Sequence, residues 1–186
     1  ARTVQALPLV LDQLAADGWR FASYQNGQFV LSAERTVNLP APTPGELYRD
    51  SHALVVGAGG LGSPVALYLA ASGVGHITLA DHDVVDLTNL QRQIAHTTQR
   101  VGQPKVESAR DAMRSLNPLV QVQPLQIRAD ETALLRLVAE ADVVIDGCDN
   151  FATRHAVNRA CVQHAVPLVS GAVIRLDGQL TTYDTR

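Results

Sequence analysis

From residue 53 onward, short apolar stretches alternate with longer segments whose apolar positions recur every three or four residues. The stretches at 53–56, 76–80, 120–125, 143–146 and 167–170 predict strands, and the segments at 61–72, 103–116, 130–139 and 151–163 predict helices. Boundary residues agree with this division. Ser72-Gly73 closes the first helix, Pro104 suits the first turn of the second, and Asn117-Pro118 stops it. Strands separated by helices predict an α/β fold built on a mainly parallel sheet with flanking helices. The stretch from Ile174 to Thr182 contains Asp177-Gly178 and predicts a hairpin that returns antiparallel.

The first 45 residues follow another pattern. Val4, Leu7, Val10, Leu11 and Leu14 have helical period over 3–17, with Pro8 ending or restarting the helix. The segments 19–24 and 28–32 flank Asn26-Gly27, a hairpin signal. Leu39-Pro40-Ala41-Pro42-Thr43-Pro44-Gly45 favours a stiff, extended path. This places a small N-terminal α+β appendage and linker at 1–45 and the main domain at 46–186. The appendage reads either as a packing or dimer-contact arm or as a grip for a peptide.

Composition acts by exclusion. At 186 residues, with 46% hydrophobic and 18% charged residues, the chain can bury a full core. A net charge of -3 and 4% aromatic residues argue against a nucleic-acid binder. No apolar run is long enough to span a bilayer, and no signal peptide is legible, so no membrane partner is expected. Two cysteines, Cys148 and Cys161, fit a reducing, cytoplasmic setting and cannot make a four-thiolate zinc site. The missing initiator methionine and the stop just after an apparent strand lead us to expect a fragment.

The first predicted strand runs straight into Gly57-Ala58-Gly59-Gly60-Leu61-Gly62. Glycines at 57, 59 and 62 have the spacing of a dinucleotide-binding turn, which makes the expected sheet Rossmann-like. Gly57 would turn the chain, Gly59 would admit a ligand close to the backbone, and Gly62 would let helix pack on strand. Ligands of such sheets lie beyond the C-terminal strand ends. There the second strand brings Asp81, Asp83 and Asp86, and the fourth brings Asp146, Asp149 and Asn150.

Asp81, 19 residues after Gly62, has the position of a ribose-binding carboxylate, with a helix cap or surface acid as the alternative. Asp149 would hold Mg2+ together with phosphate oxygens, or else cap the helix that begins near Phe151. Asp146 either joins the rim or ends inside the strand and orients the loop. Arg92, within Asn89-Leu90-Gln91-Arg92-Gln93, and Lys105 bring two fixed cations to the same rim. That suits a triphosphate better than a nicotinamide dinucleotide. The competing roles are a surface ion pair for Arg92 and a solvated first-turn position for Lys105. Arg154 faces either Asp149 and the phosphates or the surface. Both cysteines read as structural, and the six histidines show no metal-ligand spacing.

Taken together, GAGGLGSPVALYLAASGVGHITLADHDVVDLTNLQRQ, VGQPKVESARDAMRSLNP, VVIDGCDNFATRHAVN and VPLVSGAVIRLDGQL resemble the MoeB/ThiF class of bacterial activating enzymes, relatives of the ubiquitin-activating enzyme adenylation domain. The resemblance implies ATP along the glycine turn (Gly57, Gly59, Gly60, Gly62), with its ribose on Asp81. It implies Asn89, Arg92, Gln93 and Lys105 around the phosphates, with Asp83 and Asn150 on the same rim, and Asp149 at Mg2+. Arg92, Lys105 and Asp149 would then be the catalytic set. The implied reaction adenylates the C-terminal carboxylate of a ubiquitin-like sulfur carrier ending in Gly-Gly, in a molybdopterin- or thiamine-type pathway, by a homodimer. Adenylation of a small peptide, and a non-catalytic scaffold or dimerisation role, are the alternatives. The family's arginine-rich opening segment is replaced here by LPAPTPGELYR, and its CxxC zinc pairs and catalytic cysteine are not in these residues, so zinc is not expected of this segment.

Overall fold

The computed structural model describes residues 22–25, 28–31, 36–37, 48–174 and 177–184. The chain divides into two compact units, residues 1–43 and 44–186. The helix expected over 3–17 and the proline-rich segment 39–45 lie outside the described residues.

In the first unit, β1 (Ala22–Gln25), β2 (Gln28–Leu31) and β3 (Thr36–Val37) form an antiparallel sheet in that order. Ala22 pairs with Leu31 and Gln25 with Gln28, so only positions 26 and 27 separate the first two strands, as the Asn-Gly pair predicts.

The second unit carries one six-stranded sheet. Its elements are β4 (His52–Val56), α1 (Gly62–Ala71), β5 (His76–Ala80), α2 (Lys105–Leu116) and β6 (Gln121–Leu125). They continue with α3 (Glu131–Ala139), β7 (Val143–Asp146), α4 (Phe151–His164), β8 (Leu168–Ile174) and β9 (Asp177–Tyr183). Sheet order is β6-β5-β4-β7-β8-β9, parallel throughout except that β9 runs antiparallel to β8. Renumbered from β4, this is the 3-2-1-4-5-6 order of doubly wound sheets, whose direction of winding reverses between β4 and β7. Among the described residues no helix is long and apolar enough to cross a membrane.

Burial on both faces explains why the central strands read as unbroken apolar runs. Ala53 and Val55 of β4 pack with Ala66 and Ala70 of α1 and with Val106, Ala109 and Met113 of α2. Leu54 and Val56 face the other way, onto Leu134, Leu137 and Val138 of α3 and Ala156, Val157, Ala160 and Cys161 of α4. A helix layer therefore covers each face, and the strand ends between the layers are left to hold the site.

The C-terminal hairpin differs in detail from its sequence pattern. Strand β8 continues to Ile174, which pairs with Asp177, while Val173 pairs with Gly178. Asp177 and Gly178 are thus strand residues, and the reversal falls between Ile174 and Asp177. Neither position needs a positive φ, so the Asp-Gly signal is absorbed into the ladder.

Candidate functional site

The C-terminal ends of β4 and β7 meet at the reversal point, and they meet through glycine. Gly57 adopts φ +96°, the left-handed region, and a Cβ there would sit 2.9 Å from the Gly147 carbonyl oxygen. A Cβ on Gly62 would lie 1.8 Å from the Gly57 oxygen, so helix α1 packs on its own turn only because residue 62 has no side chain. By contrast, a Cβ at Gly59 or Gly60 would find only ordinary contacts with Gln93 and Arg92, at 3.7 and 3.5 Å. Packing requires glycine at 57 and 62; at 59 and 60 it leaves bare backbone facing the rim. Gly62→Ala is accordingly expected to cost about 1–3 kcal/mol by overpacking. Urea unfolding checks this, and a variant as stable as the parent would show the turn to be slack.

Helix α1 begins without a side-chain cap and without an acidic residue in its first turn. The contrast with α3 and α4 is direct, since Asp130 accepts from the Ala133 N–H and Asn150 from the Thr153 N–H, both at 2.8 Å. Within α1 the Ser63 N–H is taken by the Gly59 carbonyl and residue 64 is proline; the N–H groups with no acceptor among the described residues include those of Gly59, Gly60 and Leu61 in the turn itself, and with the α1 dipole they leave an anion site there. Two buried polar atoms nearby, Gln93 Oε1 and Ser63 Oγ, have no partner among the described residues. Bare backbone, an uncapped helix and orphaned polar atoms together fit a phosphate-bearing ligand.

Asp81, at the end of β5, braces this turn. Its Oδ2 accepts from the Ala58 N–H at 2.7 Å and its Oδ1 from the Asp83 N–H at 2.8 Å. A carboxylate has about four acceptor positions, so two remain for ligand hydroxyls. Asp86 caps a short 3-10 turn, Leu87–Asn89, which delivers the next group. Asn89 Oδ1 accepts from Gln93 Nε2 at 2.8 Å, and Gln93 is buried beside Gly59. Arg92 is exposed, with its Cγ and Cδ over Gly60; among the described residues its guanidinium makes no ion pair or hydrogen bond.

Lys105 opens α2 but is not solvated. It is 5% exposed, and its Nζ donates to Asp83 Oδ2 at 2.8 Å. That hydrogen bond holds the Asp83 carboxyl below the usual carboxylate range. A lysine at a helix N-terminus opposes the dipole, and Asp83 compensates it.

On the other side of the reversal point, Asp149 is exposed and makes no hydrogen bond or ion pair among the described residues. It is not the helix cap; Asn150 is. Asp146 does end inside the strand, fully buried, and it orients the loop. It accepts from Cys148 N at 3.1 Å, Cys148 Sγ at 2.7 Å and Ser170 Oγ at 2.9 Å, and pairs with Arg154 Nη1 at 2.9 Å. Arg154 also donates to the Cys148 and Gly171 carbonyls at 2.7 and 3.0 Å, so it neither faces Asp149 nor lies loose at the surface. Burial, and next the Asp146 carboxylate, push the Cys148 thiol up to about 12, which removes it as a thiolate nucleophile. Burial likewise pushes Cys161 up to about 11.

The sequence pattern passes over one further residue. His96, 6% exposed, has Nε2 at 3.0 Å from the Ala58 carbonyl oxygen and Nδ1 at 3.0 Å from Ser108 Oγ. Burial lowers its pKa, so the ring is neutral near pH 7. No spacing rule marks it, because its two partners come from β4's turn and from α2. The one trio of metal-ligating side chains found among the described residues is the half-buried Asp81 with the exposed His82 and Asp83, and both of its carboxylates are already engaged as above.

Comparison with known proteins adds a family. The model of the ThiF family matches residues 42–186. Molybdopterin-synthase adenylyltransferase of Escherichia coli (strain K12) is 50% identical over 138 residues, 74% of this chain and 55% of that protein. The SAMP-activating enzyme E1 of Haloferax volcanii is 49% identical over 133 residues, 72% of this chain and 49% of that protein. Among solved structures, E. coli tRNA N6-threonylcarbamoyladenosine dehydratase TcdA in complex with ATP superposes with TM-score 0.66 at 33% identity, covering 71% of this chain and 56% of that one. E. coli MccB with MccA-N7isoASN gives TM-score 0.71 at 28% identity, covering 76% and 42%. The chain spans about half the length of the curated relatives it matches.

Proposed function

The chain belongs to the ThiF family, and from that premise we propose that it is the ATP-binding part of an adenylyltransferase that activates the C-terminal carboxylate of a ubiquitin-like sulfur carrier. The observation that carries the reading is the uncapped α1 N-terminus and its bare glycine turn, flanked by Arg92 and Lys105 on one side and by a free Asp149 on the other. A dinucleotide dehydrogenase has no need of that second and third charge.

In the proposed reaction a carboxylate oxygen of the carrier attacks the α-phosphorus of ATP. The bond from that phosphorus to the bridging oxygen breaks, and pyrophosphate leaves with the electron pair. No general base is required, since a terminal carboxyl is ionised near neutral pH. The work left to the protein is alignment and charge. The N–H groups of Gly59, Gly60 and Leu61 and the Lys105 ammonium, which keeps two donors beyond Asp83, would hold the phosphates. Arg92 would meet charge developing on the leaving group. The remaining acceptor positions of Asp81 would take the ribose hydroxyls. Asp149 would hold magnesium, which neutralises phosphate charge when bound. Asn89 and Gln93 would complete the phosphate wall, while Asp83 and Asn150 serve it through Lys105 and the α4 cap. We propose a homodimer, and residues 1–45 as an accessory part.

ATP–pyrophosphate exchange tests this. Exchange that depends on a carrier ending in Gly-Gly supports the reading. The structural likeness to MccB with MccA-N7isoASN favours a short peptide as the second candidate, and exchange with a peptide alone would select it. No exchange with either would overturn the adenylation reading. Asp149→Ala is expected to raise the magnesium concentration needed for half-maximal exchange while leaving thermal unfolding unchanged; an unaltered magnesium titration would remove Asp149 from the site.

A further inference from the structure

Among the described residues, His96 is the one buried titratable side chain whose two hydrogen bonds both end on elements of the site. A carbonyl oxygen can only accept, so His96 Nε2 carries the hydrogen toward Ala58, and Nδ1 is left to accept from the Ser108 hydroxyl. Ser108 lies one turn beyond Lys105 on the buried stripe of α2. The ring therefore spans from the glycine turn to the helix that presents the ammonium.

The consequence lies in the peptide unit that His96 holds. In a planar trans peptide the carbonyl and the following N–H point in opposite directions. The Ala58 carbonyl is drawn inward to the imidazole, which turns the Gly59 N–H outward, and that N–H has no acceptor among the described residues. Ala58's own N–H is fixed by Asp81. Glycine at 59 would otherwise let this peptide flip, because glycine tolerates both signs of φ. A flipped peptide would present a carbonyl oxygen, in place of an N–H donor, to an anion.

We infer that His96 is a positioning residue for the phosphate end of the site, holding the Ala58–Gly59 peptide donor-outward and in register with Lys105. This rests on the nucleotide reading above. The adenosine end depends on Asp81 and does not pass through His96.

The test compares ATP with adenosine, each titrated calorimetrically against the parent chain, His96→Asn and His96→Gln. Asparagine reaches Ser108 but not Ala58; glutamine carries an amide N–H about as far as Nε2. The expected result is about a 10- to 100-fold loss of ATP affinity in H96N, adenosine affinity unchanged, and recovery of most of the loss in H96Q. Equal losses for ATP and adenosine, or no loss of ATP affinity in a folded H96N, would overturn the positioning role while the nucleotide reading stands. If H96N does not fold, Ser108→Ala takes its place, with ATP weakened more than adenosine expected and equal weakening overturning the role. A parent chain that binds adenosine and ATP alike, or neither, would instead overturn the nucleotide reading, and the role with it.

Discussion

Replacing Asp146 with alanine is expected to lower the unfolding free energy by about 3 kcal/mol, the low end of the cost of breaking a buried ion pair by removing one partner. The carboxylate has no exposed side-chain surface and makes four contacts with three residues, so its removal leaves the Arg154 charge without a counter-ion and takes an acceptor from Ser170 and Cys148. The low end applies because the Arg154 side chain is 23% exposed, and water can reach part of the orphaned guanidinium. Urea unfolding at neutral pH measures the loss. Pairing D146A with Arg154→Met should restore part of it, since the second change removes the uncompensated charge. If D146A unfolds within about 1 kcal/mol of the parent, the level of a surface ion pair, then Asp146 does not brace the loop. A functional effect should accompany the loss, because residues 147–150 carry Asp149.

That clamp also marks where sequence reading stops. Strands β4, β5 and β7 were legible because residues such as Leu54, Val55 and Val144 must be apolar when both sheet faces are covered. The glycine turn was legible because its demands are local: φ at Gly57 and the absent Cβ at Gly62 depend on neighbours in sequence. Asp146 as a strand-end brace could be framed as one of two options, but its partner Arg154 could not, since Ser170 and Gly171 come from another strand. Lys105 was legible as a cation at the rim, but a solvated place in a first helical turn remained the alternative. Only the loop that carries Asp83 makes it buried. His96 offered no pattern at all, for its meaning lies in two contacts 38 and 12 residues away. Asp177-Gly178 shows the opposite failure, a strong local turn signal overridden by the pairing of β8 with β9.

Lys105→Met separates chemistry from stability at the site. Methionine keeps the buried stem, so packing beside Asp83 is largely preserved, whereas the ammonium is lost. If that ammonium meets phosphate charge in a water-poor site, turnover in ATP–pyrophosphate exchange should fall about 100- to 1000-fold, the usual effect of removing one preorganised donor. Arg92 cannot replace it, because it stands over Gly60 and not over α2. The fold should lose little at neutral pH, since Asp83 is half exposed and can return to water. Acid gives a second, independent readout. Lys105 holds the Asp83 carboxyl below its ordinary value, so the pair contributes stability above about pH 4, and that contribution disappears as pH falls through the lowered value. The stability gap between parent and K105M should therefore be constant from neutral pH to about 4 and close below it. A gap that persists at low pH would mean that packing, not the ion pair, is what methionine disturbs. Exchange at the parent rate would mean that the ammonium serves Asp83 alone, and the cation that meets the phosphates would have to be sought at Arg92.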